Sequence, residues 1–256
     1  VTIAYRTRVS TWGTTQAYAS IPFNIPAETQ VGDLMIWVLS TDSGPSAASL
    51  PGWTKQFAVE GTGSVACQTV VWTKVADATD LGTQATVYAS SSATGFHPSA
   101  SLLIYSGAAL KSAASARPTG YPTYSKPGAP ATMAVPSVGT LDPGDLVVVI
   151  GTANSLGNAC STPIGFAAAT PVTERAMAPV TTLNMHQAIG DVAAPGGWTV
   201  EAESGGSGKG IQVADMCGGT LVLTPAAAPP PPPATLGQTW PRGTRPAPSV
   251  GQLWPR

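Results

Sequence analysis

The chain has 256 residues, of which only 10% are charged, against roughly 25% in an average globular protein. A net charge of −1 provides no electrostatic footprint for nucleic acid. No apolar run approaches the ~20 residues of a membrane-spanning helix, so membrane insertion by that route is not expected.

The length exceeds that of a comfortable single sandwich and suits two domains. With 28 Gly and 25 Pro, the composition is rich in turns. A surface so poor in charge suits a protein covered by neighbours better than a free-standing monomer.

The periodic segments read as strands. Residues 2–10 alternate Ile3, Tyr5, Thr7 and Val9 against Ala4, Arg6 and Arg8, the period of a half-buried strand. Residues 34–39 are continuously apolar and of strand length, as expected for a strand buried on both faces. Residues 53–59, 67–75, 85–89 and 101–105 follow, separated by Gly, Ser, Thr and Asp turns. The Ala-rich piece at 108–116 reads as a short helix or a loop. It opens a linker over 111–130 whose later part holds four prolines.

The second half then echoes the first. Gly32-Asp33-Leu34 matches Gly144-Asp145-Leu146, and Gly52-Trp53 matches Gly165-Phe166. The stretch from Trp72 to Asp77 matches that from His186 to Asp191, and Leu102-Leu103-Ile104-Tyr105 matches Thr220-Leu221-Val222-Leu223. Order and approximate spacing hold, which indicates duplication. The expected fold class is all-β, with two tandem β-sandwich (jelly-roll-like) domains arising from an internal duplication, at residues 1–110 and 131–225. The expected core is Leu34, Ile36, Val38, Trp53, Trp72 and Leu103 in the first half. In the second it is Leu146, Val148, Ile150, Phe166, Leu221 and Leu223. Asp33 and Asp145 read as turn residues.

Residues 226–256 read as an extended Pro-rich C-terminal arm. Five prolines at 229–233 block helix and remove ladder donors. The phrase Gly237-Gln238-Thr239-Trp240-Pro241-Arg242 then returns as Gly251-Gln252-Leu253-Trp254-Pro255-Arg256. Such a segment has too little apolar surface to order itself, yet it carries two Trp anchors. Trp240, Pro241, Arg242, Trp254, Pro255 and Arg256 are therefore the candidate partner-docking residues.

Groups with catalytic potential are sparse. The two His, His97 and His186, fall in different halves, too few for a metal site. Cys67, Cys160 and Cys217 lack metal spacing and read as buried thiols, or as one disulfide and one free thiol. Gly208-Lys209 lacks the spacing of a phosphate loop, and the glycines at 61–63 lead into a strand rather than a helix. Glu201 and Glu203 share one face of a strand and are the whole basis for a hydrolase of cell-wall polymer. No cofactor, no metal and no catalytic residue is expected, and the chain does not read as an enzyme.

Several phrases taken together resemble a known family. They are Gly32-Asp33-Leu34 with its apolar strand, Gly52-Trp53-Thr54, and Val70-Val71-Trp72-Thr73-Lys74-Val75-Ala76. The run from Ser99 to Gly107 and the run from Gly219 to Pro225 complete the set. Over residues 28–225 the chain resembles virion proteins of tailed bacteriophages of actinobacteria, in particular those called minor tail proteins. The resemblance implies a structural or host-contact role in the virion, in the tail rather than on the head surface, for a protein made in the host cytoplasm. It brings no catalytic residues. The implied partners are other virion subunits and copies of the chain itself, as a trimer or ring. A head decoration protein is the alternative, and a carbohydrate-binding host-adhesion module is another. For the last, Phe96, Tyr121 and Tyr124 are the candidate contacts to host cell-surface glycan.

Overall fold

The structure, a computed structural model, describes residues 2–12, 20–41, 49–60, 67–88, 98–116, 131–156, 164–167, 172–177, 185–202 and 212–227. The described residues are all-β, with no helix among them. In the first half the strands are β1 (Ala4–Trp12), β2 (Ser20–Asn24), β3 (Leu34–Thr41), β4 (Thr54–Glu60), β5 (Gln68–Val75), β6 (Gln84–Tyr88) and β7 (Ser99–Ser106). In the second they are β8 (Ala108–Ala116), β9 (Ala131–Ala134), β10 (Leu146–Leu156), β11 (Ile164–Phe166), β12 (Thr173–Met177), β13 (Met185–Val192), β14 (Thr199–Ala202) and β15 (Gln212–Pro225).

All the strand pairings are antiparallel. One five-stranded sheet runs β1-β7-β3-β5-β4, and another runs β8-β15-β10-β13-β12. The remaining strands form a two-stranded ribbon, β2-β6, and a three-stranded sheet, β11-β14-β9.

Side-chain alternation sets how these sheets stack. In β3, Met35, Trp37 and Leu39 join Phe23 of the ribbon in one apolar cluster. Leu34, Ile36 and Val38, on the opposite face of the same strand, join Val148, Ile150, Leu221 and Leu223 of the other five-stranded sheet. In β10, Val147 and Val149 face Val200 of the three-stranded sheet, while Val148 and Ile150 face back toward β3. The result is a layered, β-sandwich-like stack in which the two large sheets are the inner layers. A strand covered on both faces needs apolar residues at every position. That is why residues 34–39 do not alternate and why β3 is buried throughout.

The chain crosses from one inner sheet to the other through a single residue. β7 ends at Ser106, β8 begins at Ala108, and Gly107 between them has φ of 64°, a left-handed conformation that favours glycine. Residues 108–116 are therefore a strand and not a short helix or loop. The linker expected over 111–130 begins inside that strand, and residues 117–130 lie outside the described residues. Alanine favours helix, but here the pairing of β8 with β15 and the burial of Ala108 prevail over propensity. Residues 1–226 form one compact unit, so the halves expected as separate sandwiches pack together. Ala226, assigned to the arm from the sequence, donates its N–H to Gly107 O at 2.8 Å and belongs to this unit.

Nine of the twelve expected core residues are buried. Trp53, Phe166 and Leu146 are not; each is half-buried at the rim of a cluster. Trp53 meets Phe23 edge-to-face, with ring centroids 6.1 Å apart. Trp72 is buried as expected, and it is joined by Trp37, stacked on Phe23 at 3.8 Å, and by Trp198 in the second half.

Candidate functional site

None of the docking or glycan residues expected from the sequence falls within the described part of the structure. Trp240, Pro241, Arg242, Trp254, Pro255 and Arg256 lie outside the described residues, and so do Phe96, Tyr121 and Tyr124. The same holds for His97, Cys160, Glu203 and Lys209. Of the remaining candidates, His186 is buried in β13 and Glu201 is half-buried in β14. Among the described residues no group of three or more His, Cys, Asp or Glu side chains could hold a metal ion.

The described body shows where its few charges go. Asp33 and Asp145 each close a turn before a central strand. Asp33 Oδ2 accepts from Gln30 N at 2.8 Å, and Asp145 Oδ2 accepts from Asp142 N at 3.1 Å. Both are turn residues, as read from the sequence, and each carboxylate reaches back three residues to the first residue of its turn. Gly32 and Gly144, at the third position of these turns, both have φ of 90°, which favours glycine.

Each of these carboxylates is also ion-paired to a residue extruded by a β-bulge. Arg6 sits at the register shift of β1 and meets Asp33 at 2.8 Å. Lys111 sits at the register shift of β8 and meets Asp145 at 2.6 Å. A bulge turns one residue out of the ladder, here toward the turn. Lys74 and Asp80 make a further pair at 2.5 Å. Asp33, Asp80, Asp145, Asp191 and Asp215 are all buried, so part of the small acidic content of the described body faces inward.

The hydrogen bond from Lys111 holds the Asp145 carboxyl below its usual range. A folded pKa below the unfolded one contributes stability that is complete above the unfolded value, about 4, and is lost as pH falls through the folded value. Asp145→Asn should therefore melt below the wild type at neutral pH, and the gap should close as pH falls below about 4. Thermal melts from pH 7 to pH 2 check this; a gap that stays constant across the range would mean the ion pair contributes nothing.

Two polar groupings lie between the inner sheets. At one, Tyr105 Oη donates to Asp191 Oδ2 at 3.0 Å and Arg175 Nε donates to the same oxygen at 2.7 Å. Arg175 also stacks over the Tyr5 ring at 4.5 Å. Burial, reinforced by the Asp191 charge, pushes the Tyr105 phenol well up. The Asp191 hydrogen bond keeps Arg175 more firmly protonated than usual. At the other grouping, Ser40 and Thr152 hydroxyls are 2.8 Å apart. Thr69 donates to Thr152 at 2.8 Å, and Gln187 Nε2 donates to Ser40 at 2.9 Å. These groups are buried and bonded to one another across the interface. Their chemistry is to hold the sheets in register.

One open depression of about 490 Å³ lies between Thr2 and Ile3, ahead of β1, and the turn at 141–146. Its lining is mostly apolar, with Ile3, Leu141, Pro143 and Leu146. The carboxylates in it, Asp142 and Asp145, both engage Lys111. No family model, no curated protein and no solved structure matches this chain.

Proposed function

We propose that this chain is a structural virion subunit of a tailed phage, a minor tail protein that docks on its neighbours through its C-terminal arm. The observation that carries this reading is the phrase Gly-Gln-x-Trp-Pro-Arg, written at 237–242 and again at 251–256 after five prolines. A repeated anchor implies a repeated receptor. Two anchors on one arm raise avidity through effective concentration, without tight single contacts. Arg242 and Arg256 add charge-assisted hydrogen bonds at the pocket rim. The phage-like phrases between residues 28 and 225 support the reading, as does a layered β body in which the Asp33 and Asp145 carboxylates serve its own turns. A chain with only 10% charged residues fits self-association into a trimer or ring inside an assembly.

The test is incorporation into particles. Deletion of residues 235–256 should leave the body folded and abolish incorporation. Trp240→Ala alone should weaken it less than Trp240→Ala with Trp254→Ala, because the remaining anchor keeps the arm local. Normal occupancy of the deleted protein would overturn the reading. Labelled subunits found on the head rather than the tail would turn it toward a decoration protein.

The same proposal includes an internal duplication, with β1, β3, β4, β5, β7 in one copy matching β8, β10, β12, β13, β15 in the other. Supporting it are the common strand order, the two Gly-Asp turns and the matched bulges of Arg6 and Lys111. Gln56 and Arg175 form a second bulge pair, and they bond Thr73 and Asp191 respectively. On this alignment Asp191 matches Thr73, four residues from the Asp77 that the sequence comparison pairs with it. Exchanging the copies carries the Thr69–Thr152 bond onto Gln187–Ser40 and Ser40–Thr152 onto itself. The copies thus face each other across an approximate two-fold axis. A solved structure whose halves superpose only in another register would refute it.

A further inference from the structure

We propose that Cys67 and Cys217 form a disulfide that staples the two inner sheets to each other. Cys67 stands immediately before β5 in one sheet and Cys217 lies in β15 of the other. Both side chains are fully buried, and the sulfurs are 3.1 Å apart although 150 residues separate them in sequence. A disulfide bond is about 2.0 Å long, so the sulfurs need to close by only about 1 Å.

The backbone around them is already registered. Cys67 N donates to Asp215 Oδ2 at 3.4 Å, two residues from Cys217 on β15. Thr69 Oγ1 lies 3.1 Å from Cys217 Sγ on the other side. Met185, Val59 and the half-buried Phe57 pack around the pair and keep water from it. The two sulfurs are therefore held at contact by strands that cannot slide independently.

Bond formation is a two-electron oxidation by thiol–disulfide exchange. One Cys, as thiolate, attacks a low-molecular-weight disulfide such as oxidised glutathione, forming a mixed disulfide and releasing one thiol. The second Cys then displaces the carrier as another thiol, leaving the Cys67–Cys217 bond. The two protons lost by the protein end on the two released thiols. Burial pushes the Cys67 thiol well up, so the packed protein should react slowly and the chain refolding from denaturant should react fast.

The experiment uses the full chain, refolded from denaturant in buffer containing oxidised and reduced glutathione. Of the three cysteines, only Cys160 should then be found as a thiol or as a mixed disulfide with glutathione, and in Cys160→Ser neither a titrating thiol nor bound glutathione should remain after denaturation without reductant. Peptide mapping without reduction should show Cys67 and Cys217 in one linked pair. The oxidised protein should melt about 5–15 °C above the same protein with reductant. Three titrating thiols, a linked peptide containing Cys160, or coincident melts would overturn the proposal.

Discussion

Trp37→Ala should destabilise the body by about 3–5 kcal/mol, a fall in Tm of roughly 10 °C in a unit of this size. Trp37 is fully buried in the middle of β3 and stacks on Phe23 with planes 14° apart. Its removal opens a cavity between the ribbon and an inner sheet. The sheet beneath cannot sag into that cavity, because its other face is packed against Ile150 and Leu221. Trp53→Ala should cost about half as much, since Trp53 is a half-buried rim residue that was partly hydrated from the start. Denaturant titration of both variants decides the point. Equal losses would mean that the layer between ribbon and sheet is not where the fold is closed.

Asp191→Ala should cost about 3 kcal/mol, at the lower end for breaking a buried charge pair. It leaves two donors without an acceptor. The Tyr105 hydroxyl is buried and cannot reach water, whereas Arg175 is 28% exposed and recovers part of its hydration. Tyr105→Phe removes one donor and leaves the Arg175–Asp191 pair intact, so it should cost about 1–2 kcal/mol. The double variant should be less destabilised than the sum, because the two changes remove the same bond. A loss in Asp191→Ala no larger than in Tyr105→Phe would show that this grouping does not hold the sheets together.

The stacking was legible where the pattern departed from alternation. A run such as Leu34-Met35-Ile36-Trp37-Val38-Leu39 has no wet face, and the structure buries both. The pattern does not say which layer covers which face. Leu34, Ile36, Val38, Val148 and Ile150, expected as cores of separate sandwiches, form the seam between the two inner sheets.

Trp53 and Phe166 misled because an aromatic after Gly stands at a strand end, where size suggests core and position gives rim. β8 escaped notice because Ala and Ser lack the β-branched and aromatic signal of strands. Residue type pairs Asp191 with Asp77 in the sequence, and in the ladder Asp191 stands opposite Val148. The buried polar groupings had no sequence signal, since their members come from strands distant in the chain. The docking phrase was legible because it repeats.

The seam also sets a timetable for synthesis. When Gly107 leaves the ribosome, every residue of the ribbon-facing cluster has been made, but the face bearing Leu34, Ile36, Val38, Leu103 and Tyr105 has nothing to cover it. Its cover is still to be translated, which takes roughly ten seconds at typical elongation rates. For that interval each nascent chain exposes an apolar sheet surface shaped to accept another sheet, beside its neighbours on the same message. Slowing translation beyond residue 107 lengthens the interval and raises the chance that two first halves meet each other.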